Sequence, residues 1–160
     1  MLDIAIQLAQ THYERYKAAY PYAYEMVNKI IQDYGVIIDE FPMQSNSFAG
    51  MLWNDDGRYI IVINPDLPKS RKLFTLAHEL GHFLMHRFYQ PAFFCTRLNG
   101  QAFDPKERQA NVFAAELLMP LDKIKQLAKR GITLKNAARC IGVSEQALRY
   151  RIKDLRQRKA

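Results

Sequence analysis

The spacing of apolar positions changes several times along this chain, and each change marks an element. Residues 3 to 19 carry Ile4, Leu8 and His12 at helical spacing until Pro21 interrupts the run. A second helix over 22 to 34 presents Met26, Val27, Ile30 and Ile31, and Gly35 stops it. Val36-Ile37-Ile38 is a short β-branched run and predicts the first strand. Phe48 to Trp53 and Arg58 to Ile63 flank Asn54-Asp55-Asp56-Gly57, where Asp-Gly predicts a hairpin that Asn64-Pro65 then ends. Over 68 to 88 the helical period returns. Leu73, Leu76, Leu80 and Leu84 form its stripe, and Phe74, Ala77, Phe83 and Phe88 fill the flanks, so this helix is buried nearly all round. Residues 89 to 103 read as an aromatic loop with Tyr89, Phe93, Phe94 and Phe103. Asp104-Pro105 opens another helix, whose stripe is Ala110, Phe113, Ala114, Leu117 and Leu118. Between 134 and 153, Ala138, Gly142-Val143-Ser144, Leu148 and Ile152 set two short helices about a sharp turn, with Ser144 as cap.

These elements predict an α+β fold, mainly helical, with a small antiparallel sheet of about three strands. A first unit is expected over 1–120 and a helix-turn-helix-like unit over 121–160. No run of 18 apolar residues is present, which argues against a membrane span, and the early acid Asp3 argues against a signal peptide. Cys95 and Cys140 lie far apart and form no metal-recruiting pattern, so a cytoplasmic protein with free thiols is expected. The net charge of +7 is concentrated: residues 121–160 hold 12 basic against 3 acidic side chains. That excess suits nucleic acid or an acidic protein partner, and equally a solvated helix face.

The buried helix carries the chemistry. His78-Glu79-Leu80-Gly81-His82 places two histidines four residues apart, on one helix face, where both imidazoles can reach one ion. Glu79 stands beside the ion's open side, placed to take a proton from a water there. His86 continues the stripe but lies about 9 Å past the midpoint of the pair at 1.5 Å per residue, too far to be a ligand. A third ligand must come from elsewhere. At 100° per residue Glu107 shares the inward stripe of its helix with Ala110, Ala114 and Leu117, whereas Glu116 falls opposite and is expected in solvent. Glu107 is therefore the candidate, with Asn111 one turn on placed to hydrogen-bond a metal-bound side chain. Asp104-x-x-Glu107 is also a capping-box spacing, in which Glu107 would merely reach back to the cap amide. The hairpin could present an edge to an extended peptide, with Gly50 allowing close approach, or could simply cover the metal helix.

The block Phe74-Thr75-x-x-His78-Glu79-Leu80-Gly81-His82, followed by Glu107-x-x-Ala110-Asn111-x-Phe113-Ala114-Ala115-Glu116-Leu117-Leu118-Met119-Pro120, closely resembles the ImmA/IrrE metallopeptidases. The resemblance runs from about residue 23 to the end. It implies a zincin-like peptidase core followed by a helix-turn-helix-like unit, with Glu107 in the position of the family's glutamate ligand. It also implies a DNA-binding repressor, encoded nearby, as the substrate.

Two classes of function follow. The first is a zinc endopeptidase in which His78, His82 and Glu107 hold the ion, manganese or iron being compatible with the same ligands, and Glu79 activates water. The second is a DNA-binding regulator, or a non-proteolytic repressor-binding protein, with a structural metal site. In it Arg149, Arg151 and Lys153 of the last helix contact phosphates or an acidic partner.

Overall fold

The structure, a computed structural model, describes residues 2–42, 48–88, 92–95 and 104–158, the 92–95 stretch through its backbone alone. In chain order the elements are α1 (Leu2–Tyr16), α2 (Ala23–Asp33), β1 (Ile37–Glu40), β2 (Gly50–Asp55), β3 (Arg58–Ile63), α3 (Lys69–His86), β4 (Ala92–Cys95), α4 (Pro105–Leu118), α5 (Leu121–Lys129), α6 (Leu134–Ile141) and α7 (Glu145–Gln157). Helices dominate an α+β architecture, as the periodicity requires.

The hairpin forms where Asp-Gly places it. Asp56 (φ 49°) and Gly57 (φ 89°) both take the left-handed conformation that matches the twist of the flanking strands, and Asn54 Oδ1 accepts from the Gly57 amide at 2.9 Å. The sheet departs from expectation in two ways. It has four strands among the described residues, in the order β1-β3-β2-β4, and it is mixed. β4, within the stretch read as an aromatic loop, pairs antiparallel with β2 (Met51 opposite Phe94) and occupies that side. The remaining edge is that of β3, beside which β1 runs parallel, Ile37 opposite Ile60. A three-residue apolar run says that a strand exists, not which neighbour it finds or which way it runs. Tyr89 and Phe103 lie outside the described residues.

Helix α3 crosses the inner sheet face, where Leu52, Ile61 and Ile63 are buried, and turns its other side to α4. Leu73 and every residue from Thr75 to Phe83 are buried. Gly81 sets the α3–α4 distance: a Cβ there would come within 3.0 Å of Phe113 Cδ1 and 3.3 Å of Ala110 Cα, so only the absent side chain lets the helices meet. Gly50 does similar work in β2, but what approaches it is Thr75 Cγ2 of α3, which an added Cβ would meet at 2.7 Å. Since β2 also has a strand on each side, it offers no edge to a peptide. On the far side of α4 lies α1, which inserts the fully buried Ala5 and Ala9.

The C-terminal helices form around the expected turn, with Gly142 at φ 89° and Ser144 Oγ accepting from the Ala147 amide at 3.1 Å. Their inner residues Ala138, Ile141, Val143 and Leu148 join the same buried cluster as Leu73 and Leu117. Two expectations fail here together. Glu116 is 4% exposed rather than in solvent, and Arg151 is 3% exposed rather than offered to a partner. Arg151 Nη2 stands 2.6 Å from Glu116 Oε2, and Arg158 Nη1 2.8 Å from Glu116 Oε1. Arg151 Nε also donates to the Met119 carbonyl at 3.2 Å. The side of α4 opposite its apolar stripe is covered by α7, and each buried charge is there because the other is.

Candidate metal centre

His78 and His82 lie four positions apart on α3, so their rings meet edge to face on one side of the helix with Nε2 atoms 3.0 Å apart. The third group arrives from α4. Asp104 caps that helix, its Oδ1 accepting from the Lys106 amide at 2.8 Å, and Pro105 occupies the first helical position. This start directs Glu107 across the α3–α4 contact rather than back to the cap. Its Oε1 lies 3.0 Å from His82 Nε2 and its Oε2 3.3 Å from His78 Nε2. The residues that periodicity singled out, His78, His82 and Glu107, are thus brought together, with one ligand atom from each within 4.8 Å of the others.

The donor set fits a divalent cation. Two ligands held at 2.0–2.1 Å in a tetrahedron stand about 3.3 Å apart, close to the separations of 3.0 and 3.3 Å found here. The lone pairs also point the right way. Asn111 Oδ1 lies 2.9 Å from His78 Nδ1, and an amide oxygen can only accept, so the proton of His78 is on Nδ1 and its Nε2 is bare toward the site. His82 makes its outer contact, at 3.0 Å, with Nδ1 of His86, whose Nε2 in turn lies 2.9 Å from Gln109 Oε1. His86 is therefore no ligand, in keeping with its distance along the helix.

Electrostatics follow from burial. His82, 1% exposed, has its pKa lowered to about 4 by burial, against the opposing pull of Glu107, and so remains neutral and able to coordinate. Burial would raise the pKa of Glu107, but the imidazoles of His78 and His82 that face its two oxygens outweigh burial and hold the carboxyl well below its ordinary range. Glu79 behaves oppositely. It is fully buried, and neither carboxylate oxygen has a hydrogen-bond partner among the described residues. Burial raises its pKa to about 8, opposed by His78 and by the Leu52 main chain.

Of the residues proposed for nucleic-acid or partner contact, Arg149 and Lys153 are exposed on α7, Arg149 paired with Glu145 at 2.7 Å, while Arg151 is withdrawn. Sequence reasoning missed Gln109, because it sits two residues from Glu107 and off the apolar stripe. Its contact with His86 crosses between helices and leaves no periodic trace.

The peptidase M78 family model, described as the IrrE N-terminal-like domain, matches residues 31–153. The chain is also 32% identical over 114 residues to a protein of Bacillus phage phi105 named uncharacterized immunity region protein 2, the match covering 71% of this chain and 70% of that protein.

Proposed function

The chain belongs to the peptidase M78 family of IrrE N-terminal-like domains, and from that premise we propose that it is a zinc-dependent endopeptidase that cuts a DNA-binding repressor protein. The observation that carries the reading is a pairing of two features. Three side chains able to hold one cation stand beside a fully buried Glu79 carboxyl that has no hydrogen-bond partner among the described residues. A purely structural zinc is closed by four protein ligands and needs no unpartnered acid next to it.

His78, His82 and Glu107 would hold a divalent ion, which would supply Lewis-acid chemistry toward a scissile carbonyl and a water. Glu79 takes the proton of the attacking water and delivers it to the leaving amine nitrogen as the C–N bond breaks. Asn111 keeps the His78 lone pair aimed inward throughout. Two imidazoles and a carboxylate suit zinc, with manganese and iron as the other metals these donors accept.

The name of the phage relative, an immunity region protein, supports placing the activity in repressor regulation. A DNA-binding role for the C-terminal unit draws on the exposed Arg149 and Lys153 but has lost Arg151 to Glu116. Among the described residues no helix is long and apolar enough to cross a membrane.

Co-expression with the repressor encoded beside it, followed by mass spectrometry of that repressor, tests the proposal. Wild type yields two fragments from one cut. Glu79→Gln keeps the three ligands and slows cutting by about 10²–10⁴-fold. A repressor left whole by wild type, or cut equally by both proteins, contradicts it.

A further inference from the structure

Resting on the reading of the chain as a repressor peptidase, we propose that the outer face of the sheet docks the body of that basic, DNA-binding protein while a segment of it is cut beyond α3. Successive strand residues alternate between faces, and the register sets the outer face out in rows. Trp53 of β2 lies opposite Ile60 of β3, and Ile60 beside Ile37 of β1. In the next row Met51 lies opposite Val62, with Asp39 beyond it. Leu52, Ile61 and Ile63 alternate with these and are buried on the inner face. Trp53 and Ile37 are 42% and 50% exposed, and none of the five apolar residues joins the core cluster or the side chains packed against it. Five apolar side chains thus share one open face across three strands. A patch of this kind on a folded protein marks a place where another molecule sits.

The charges at its border select the partner. Asp39 closes the face at one end, and Asp55, Arg58 and the hairpin residue Asp56 close it at the other. Asp55 and Arg58 pair at 2.6 Å and cancel, which leaves Asp39 and Asp56 as exposed negative charges. Residues 1–66, from which the face is drawn, hold 9 acidic against 4 basic side chains. An apolar centre with a tryptophan inside a charged border is how interfaces between separate proteins are built. A DNA-binding protein carries lysine and arginine where it meets phosphate, and so brings the opposite charge to this border. The basic C-terminal unit of a second copy has the same sign, but the sheet face and α7 are different patches. Copies joined through them would grow into an open chain, so a separate protein fits better. The sheet and α3 stand between this face and the group of His78, His82 and Glu107. Docking here therefore touches no reacting atom; it raises the local concentration of the segment to be cut.

The test compares cleavage of the whole repressor with that of a short peptide spanning its cut. Trp53→Ser should raise KM for the whole repressor about 30-fold and leave kcat alone. The short peptide, which has no body to dock, should be cut as by wild type. Asp39→Lys, an exchange at an exposed position, should raise KM about 10-fold at low salt, and added salt should close the difference. A second readout needs no activity. Trp53 is the single tryptophan, so fluorotryptophan placed in this chain alone gives one fluorine NMR line from this face. Added repressor should shift that line in Glu79→Gln, which leaves the repressor uncut. An unmoved line, or a wild-type KM in folded Trp53→Ser and Asp39→Lys, would overturn this inference alone. A line that moves as the chain itself is concentrated would give the face to a second copy and overturn it as well. A repressor left whole by wild type would contradict the peptidase reading, and the fluorine line would still decide whether this face binds it.

Discussion

Among the described residues two carboxylates are buried, and their surroundings have opposite character. Glu116, near the end of α4, is met by two guanidinium groups, Arg151 at 2.6 Å and Arg158 at 2.8 Å. Glu79, in the middle of α3, is met by no side-chain donor among the described residues, the Leu52 main chain being the one group that lowers its pKa by hydrogen bonding. A buried charge compensated on both oxygens ties one element to another, and here it fastens α7 to α4. A buried acid without compensation is a standing cost that the rest of the core must carry. That cost falls beside the only three described side chains grouped to hold a cation. Scaffold and chemistry are thus assigned to different buried acids, one on α4 and one on α3.

The contrast predicts opposite responses. Glu116→Ala leaves the buried Arg151 guanidinium with the half-exposed Asp154, 3.2 Å from Nη1, as its remaining acid among the described residues, and should cost about 3–5 kcal/mol in urea unfolding. Zinc uptake per folded molecule should be unchanged. Joining Glu116→Leu to Arg151→Met should recover most of the loss, because an apolar pair replaces an ionic one without stranding a charge. A cost well under 1 kcal/mol for Glu116→Ala would remove the distinction.

Glu79 should show itself through pH. Its folded pKa of about 8 exceeds its ordinary value of 4.5, so between those values the folded state holds the proton more tightly than the unfolded chain. The contribution of Glu79 to the stability of the metal-free protein therefore falls as pH rises through that window, by about 1.4 kcal/mol for each unit of difference realised, while His82, lowered to about 4, gives the opposite slope below 6.5. Glu107, depressed, works the other way: its contribution is present above 4.5 and is lost only as pH falls further. Urea unfolding in chelator at pH 6.5 and pH 8, at and above the highest value at which His82 titrates in either state, should show the decline in wild type and a much flatter line in Glu79→Gln. Equal slopes would mean that the Glu79 carboxyl is not isolated.

Smaller effects belong to the groups that hold the ligands. Asn111→Ala should weaken zinc about 10–100-fold with little change in unfolding. Asp104→Ala should cost about 1 kcal/mol by loosening the first turn of α4. Because Glu107 stands in that turn, a slight loss of zinc affinity should accompany it, measurable by competition with a chromophoric chelator.

Much of the candidate site could be read in the chain because its determinants are local. Two histidines four apart, Asp104-Pro105 as a helix start, and Glu107 on the stripe of Ala110 and Ala114 are all statements about one helix at a time. The same holds for Asp56-Gly57 and for Ser144. What escaped depends on pairs of elements. Helical phase reports which side of α4 is apolar, but not that α7 covers the other side, so it predicts Glu116 in solvent and Arg151 offered to phosphates or an acidic partner. Val36-Ile37-Ile38 announces a strand without a direction, and the parallel pairing with β3 follows only once β4 takes the other side of the hairpin. Gln109 needed His86 beside it before its position had meaning.

The most direct test of the central claim is anomalous diffraction at the zinc absorption edge, from crystals of the zinc-loaded protein. One strong peak is predicted among the Nε2 atoms of His78 and His82 and the carboxylate of Glu107, within about 2.0–2.2 Å of each. A zinc-loaded crystal with its peak elsewhere, or with Glu107 turned away from the paired imidazoles, would contradict the account.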